Sequence, residues 1–191
     1  MVISQLEQKL DNDINDIVQC FEDMRSLSPV IVSIGSLVSK KLSLGGTVYF
    51  CGNGGSAADS QHLAAELQGR YLADRASMAS IALTTNTSTL TAIANDYSFA
   101  EIFSRQIEGL GKQHDVLFCI STSGNSENVI RAARAARGMG LHTVSMTGAG
   151  GGMLAEVCDH SICVPSDDTP HIQEMHIAVG HMICGIVEGA L

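Results

Sequence analysis

No run of about eighteen apolar residues occurs in this chain, so no membrane-spanning helix is expected. The most apolar helical candidate, residues 172–191, is broken by Gln173, Glu174, His176, His181 and Glu188. Proline is scarce, with three residues, and no low-complexity linker divides the chain. One domain over 1–191 is therefore expected. Basic residues are few: 11 Lys and Arg face 20 Asp and Glu, for a net charge of −9. Nucleic acid selects basic faces, so a nucleic-acid partner is not expected. A small anionic ligand stays open, because local dipoles override net charge. No basic-then-apolar leader opens the sequence. The six cysteines form no CxxC pair, and most sit among apolar residues, as in VYFC and VLFC. They read as small buried hydrophobes in a reducing cytoplasm.

Apolar residues make up 45% and charged residues 16% of the 191. The mean hydropathy of +0.18 leaves apolar surface beyond one core's needs, which points to contact with another subunit. Ile3, Leu6, Leu10, Ile14, Ile17, Phe21 and Met24 recur at three and four, the pattern of an amphipathic helix. Ser28-Pro29 reads as a cap and first-turn proline for a second helix to about Leu42, ended by Gly45-Gly46. From Thr47 onward, TVYFC, MASIAL, DVLFCI, HTVSMT and HSICV alternate with helical segments, and a last helix follows Pro170. Continuous apolar strands between helices imply an α/β fold with a parallel sheet covered on both faces. Residues 1–45 would be accessory helices and 46–191 the α/β core.

Two segments echo each other. VYFCGNGGSAADSQHLAAEL and VLFCISTSGNSENVIRAARAA both read strand, small polar loop, helix. Such loops emerge together at the carboxyl edge of a parallel sheet, where ligands bind. In STSGNS, Ser121 to Ser126, hydroxyls and free N–H groups at a helix start suit an anion. No lysine and no GK[ST] is present, which excludes a triphosphate loop and favours a phosphomonoester. GNGGSA fits a dinucleotide pattern, but no acid follows MASIAL, where Thr84-Thr85-Asn86 stands instead. His62 and Glu66, one turn apart on an alanine-rich helix expected to be buried, can share a metal, a substrate proton or only a surface hydrogen bond. On the last helix, Ile172, Met175, Val179, Met182, Ile183 and Ile186 form an apolar stripe. Gln173 and His181 share a neighbouring face that also looks buried, as site residues or as satisfied core polars. His171, Glu174 and His176 read as solvated or intersubunit. Asn95-Asp96 ends a short helix in TAIANDYSF, as turn chemistry or as a ligand contact.

CGNGGSAADSQHLAAEL, TAIANDYSF, ISTSGNSENV and IQEMHIAVGH together resemble the phosphoheptose isomerases of the sugar isomerase (SIS) fold, over essentially the whole chain. The resemblance implies an SIS-type three-layer sandwich with a five-stranded parallel sheet. It implies a cytosolic homotetramer that takes sedoheptulose 7-phosphate to D-glycero-D-manno-heptose 7-phosphate, supplying nucleotide-activated heptose for the lipopolysaccharide core. It also implies one Zn²⁺ per subunit. By that resemblance His62, Glu66, Gln173 and His181 match the zinc ligands, and Glu66 and His181 the acid–base pair. Ser121, Thr122, Ser123 and Ser126 match the phosphate cradle; Asn53, Gly54, Gly55, Asn95 and Asp96 match sugar contacts, with Glu66 and Gln173 also lining the substrate site. Two rivals share the fold: a non-enzymatic protein that binds the DnaA replication initiator and lacks the acid–base set, and a phosphosugar-sensing regulatory domain. Glu66 and His181 are both present here, and residues 1–45 are acidic.

Overall fold

The computed structural model describes residues 3–190. The chain starts with α1 (Ile3–Asp23), a 3-10 turn (Met24–Leu27) and α2 (Ser28–Ser43). The core follows as β1 (Val48–Gly52), α3 (Gly55–Gln68), β2 (Ser80–Ala82), α4 (Thr87–Asp96), α5 (Ser104–Leu110), β3 (Val116–Ile120) and α6 (Glu127–Gly138). It ends with β4 (His142–Thr147), α7 (Gly152–Val157), β5 (His160–Cys163) and α8 (Thr169–Ala190). The five strands form one parallel sheet in the order β2-β1-β3-β4-β5.

The apolar runs at β1 and β3 are buried at every residue, because both faces of the central strands are covered. Successive side chains go to opposite faces. Phe50 and Phe118 are register partners and stack with ring centroids 5.0 Å apart, under α2, α3 and α8. Tyr49, Cys51, Leu117 and Cys119 face the other way, under α5, α6 and α7. The result is three layers.

Three local expectations change. MASIAL contributes only Ser80–Ala82 as strand: Met78 N–H bonds to Leu67 O at the end of α3 instead, and Ile81 is exposed at the sheet edge. Ser28 is helical rather than a cap; its hydroxyl donates to Arg25 O at 2.9 Å while Pro29 takes its first-turn place. On α8 the stripe is buried at Ile172, Met175, Val179 and Ile183, but Met182 is exposed and Ile186 half-buried. Met182 lies in an apolar groove of about 500 Å³ with Ile17, Val18, Phe21 and Ile31. The apolar stripe of α1 likewise stays uncovered in one chain, with Ile3, Leu6, Leu10, Ile14 and Val18 all exposed.

His176 is the larger correction: it is fully buried, not solvated. Helix α8 is walled on several sides. Gly180 lies so close to Leu63 of α3 that a Cβ there would come within 2.4 Å of its side chain, and α8 also packs on α2. Neither His176 ring nitrogen makes a well-formed hydrogen bond, and burial pushes its pKa from 6.5 down to about 4 against a smaller upward pull from the Thr147 backbone. The folded state therefore holds this ring neutral, while the unfolded chain takes a proton near 6.5. Its stability contribution is complete above about pH 6.5 and lost as pH falls toward 4, up to about 3 kcal/mol. Thermal melts at pH 7 and 4.5 should show His176→Leu losing less stability between the two than the native chain. Equal losses would refute a buried neutral His176.

Candidate active site

The strand order reverses between β1 and β3, so the loops after these strands flank one crevice at the carboxyl edge. Gly54, at φ +55°, makes the turn from β1 into α3. The Asn53 and Asn128 amides exchange two hydrogen bonds, at 2.9 and 2.8 Å, and tie this loop to α6. In the second loop Ser121 and Ser126 share a hydroxyl–hydroxyl bond of 3.0 Å. Ser126 stands at the N-cap of α6 without capping it through its side chain, leaving the positive helix end open to an anion. Ser123 Oγ accepts from Asn125 N–H at 3.1 Å, and Asn125 Oδ1 accepts from Met153 N–H at 3.0 Å. A cleft of about 210 Å³ runs beside Thr122 and Ser123, lined also by Gly148, Gly150, Asp167 and Thr169.

Two turns along α3, His62 Nε2 lies 3.1 Å from Glu66 Oε1. His181 Nε2 of α8 lies 3.1 Å from His62 Nε2. The close Gly180–Leu63 contact lets the two helices approach enough for this. One nitrogen or oxygen from each residue falls within a 4.8 Å group, the one such cluster of His, Cys, Asp and Glu among the described residues. Ligands about 2.0–2.1 Å from a tetrahedral ion stand about 3.3 Å from each other. Two imidazole nitrogens and a carboxylate at these separations thus fit a zinc-type cation. Helix α3 is buried only along Ser56, Ser60, Leu63, Ala64 and Leu67. The expectation of an enclosed helix fails on the flank, where the His62 side chain is 48% and Glu66 22% exposed.

The other sequence candidates lie apart from this cluster or around it. Gln173 packs its amide against Gly55, where a Cβ would meet Nε2 at 2.6 Å, and it is half-buried. Eight residues, about 12 Å of helix, separate its backbone from that of His181. Thr122 and Ser126 are half-buried, Ser121 is buried and Ser123 exposed. Asn95 and Asp96 close α4 on the exposed surface, with Asn95 donating to Asp96 at 2.9 Å.

Sequence reasoning passed over three neighbours. Asp59 precedes His62 by three residues; its Oδ2 is buried without a partner, and burial raises its carboxyl to about 6 against the pull of His62. Helical spacing from His62 would have flagged it. Asn128, the partner of Asn53, carried no local signal. Tyr71 stacks on the His181 ring, centroids 5.5 Å apart and planes 25° apart.

The family model described as "SIS domain" matches residues 13–148. A phosphoheptose isomerase of Rhodospirillum rubrum is 59% identical over 172 residues, covering 90% of this chain and 92% of its own length. The chain belongs to the phosphoheptose isomerase family. The phosphoheptose isomerase structure from Neisseria gonorrhoeae, at 39% identity, superposes with a TM-score of 0.91 over 96% of this chain and 99% of its own. That from Francisella tularensis, at 33% identity, gives 0.92 over 95% and 97%. The SIS-type sandwich and five-stranded parallel sheet expected from the sequence are the fold observed. The serine loop offers hydroxyl donors, and the α3–α8 cluster offers two imidazoles and a carboxylate. Among the described residues no helix is long and apolar enough to cross a membrane.

Proposed function

We propose that the protein interconverts D-sedoheptulose 7-phosphate and D-glycero-D-manno-heptose 7-phosphate, as an aldose–ketose isomerase at the first step of ADP-heptose supply for the lipopolysaccharide core. The observation that carries this reading is the meeting of Glu66, His62 and His181 beyond a hydroxyl-lined loop fit for a phosphate. The substrate's phosphate would rest on Ser121, Thr122, Ser123 and Ser126, and its first two carbons would reach the cluster.

In the ketose-to-aldose direction, Glu66 takes a proton from C1, creating an enediol across C1 and C2. His181 gives a proton to O2 and accepts one from O1. Glu66 then returns its proton to C2, so all protons balance and the aldehyde stands at C1. Asn53, Gly54, Gly55, Asn95, Asp96 and Gln173 are the proposed sugar contacts. The phosphate supplies orientation rather than chemistry.

His62, Glu66 and His181 would hold a zinc ion, with Gln173 as the further ligand; a carboxylate or imidazole held on the metal exchanges no proton, so Glu66 and His181 would loosen from the ion to act, which also opens positions on it for the substrate. When bound, such an ion would polarise the substrate oxygens. Elemental analysis should find about one zinc per chain, and a chelator should lower both activity and melting temperature. His62→Ala should lose the metal yet keep the fold. Metal-free protein with full activity and no chelator effect would remove zinc from this reading.

In this reading residues 1–191 form one SIS unit, at work in the cytoplasm. The uncovered stripe of α1 and the groove at Met182 support packing between copies into a homotetramer. Light scattering at micromolar concentration should read four chains; a stable monomer would contradict it. The activity itself is tested by NMR on sedoheptulose 7-phosphate, where an aldose phosphate must accumulate.

A further inference from the structure

The segment 69–79, between α3 and β2, has no regular structure except one clasp. Glu188 of α8 accepts the N–H of Tyr71 on Oε1 at 3.2 Å, and those of Leu72 and Ala73 on Oε2 at 2.9 and 2.8 Å. Arg75 Nε donates to the same carboxylate at 3.1 Å, and the two side chains are 13% and 7% exposed. Arg75 also reaches back to α3: Nη2 donates to Glu66 O at 2.8 Å and Nη1 to Leu67 O at 2.9 Å. The loop therefore grips the last turn of the helix that carries His62 and Glu66. Through Glu188, two turns beyond His181, it grips α8 as well. Between these anchors the Tyr71 ring lies along α8. It stacks on His181, and its Cε1 is 3.4 Å from where a Cβ on Gly185 would stand. A Cβ at 185 would stand in van der Waals contact with the ring.

We propose that the Arg75–Glu188 clasp and the Tyr71 ring form a bracket that positions His181 against Glu66. Tyr71 is a positioning residue, acting through the ring it covers. The inference rests on the reading of His181 as the proton shuttle. One flank of the His62–Glu66–His181 cluster is open, and two rings of the chain pack on the imidazole: His62, tilted with centroids 5.0 Å apart, and Tyr71, stacked at 5.5 Å. Without the second ring, His181 gains rotamers in which its Nε2 no longer meets substrate oxygens.

The test compares Tyr71→Ala, Tyr71→Phe, Glu188→Ala and His181→Gln in the purified full chain. Tyr71→Ala should lower kcat about 10- to 100-fold, the size expected for a misplaced catalytic group, with KM within about twofold. Tyr71→Phe, which keeps the ring, should restore kcat to within about twofold. In protein labelled with ¹³C at histidine, the His181 ring resonance, assigned by its loss in His181→Gln, should move downfield in Tyr71→Ala as the ring current is removed. It should stay in place in Tyr71→Phe. Glu188→Ala should move the same resonance and lower kcat. If Tyr71→Ala does not fold, Tyr71→Leu replaces it. Native kcat in Tyr71→Ala, or Tyr71→Phe as impaired as Tyr71→Ala, overturns the bracket. So does Glu188→Ala that loses thermal stability alone. An active His181→Gln would instead sink the underlying reading of His181, whatever the Tyr71 variants do.

Discussion

Glu66→Gln should lower kcat by about 10² to 10⁴ while the protein stays folded. The amide keeps the length and planarity of the carboxylate. Its oxygen can still accept from His62, which now stands 3.1 Å from Glu66 Oε1. It cannot take a carbon-bound proton. Glu66 is not a core residue: its side chain is 22% exposed and its neighbours on the buried side are Leu63 and Leu67. Circular dichroism should therefore stay close to native. KM should change far less than kcat, because the phosphate end is bound elsewhere. Near-native turnover would remove Glu66 as the base.

Unphosphorylated sedoheptulose should be a very poor substrate, with kcat/KM lower by about 10³ or more. Each hydrogen bond to a charged acceptor contributes roughly 1.5–3 kcal/mol, and the loop offers several. Ser121→Ala or Ser126→Ala should each raise KM for the phosphorylated substrate by about tenfold or more, with kcat less affected. The two hydroxyls bond to each other at 3.0 Å, so the single variants are expected to be less than additive in the double. Serine 121 is buried and Ser126 half-buried, so circular dichroism should accompany the kinetics. Comparable turnover of the free sugar would contradict an anion site at Ser121 to Ser126.

The layered fold was legible because its signal is local. VYFC and VLFC are too apolar for a one-sided sheet, and their echoing loops put both ligand segments at one edge. The length of β2 was not legible, since a hydrogen bond from Met78 to the end of α3, rather than composition, stops that strand. His176 was misplaced because its burial comes from α2, α3 and the sheet around α8, which no helical wheel contains. His62 and Glu66 were visible as a pair on one helix. Their meeting with His181 depends on the Gly180–Leu63 approach, across more than a hundred residues of chain. The sequence resemblance, not spacing, joined these three. Tyr71 and Asn128 act through partners on other elements, so nothing beside them in the chain marked them.

Incubation with sedoheptulose 7-phosphate in D₂O, followed by ¹H and ¹³C NMR, tests the central claim most directly. The account predicts an aldose 7-phosphate in which part of the C2 hydrogen is solvent deuterium, because the Glu66 side chain that carries the C1 proton is 22% exposed and exchanges some of it before C2 is protonated. It also predicts that Glu66→Gln and His181→Gln both suppress this product. No aldose phosphate from the native protein, or an undiminished yield of it from Glu66→Gln, would contradict it.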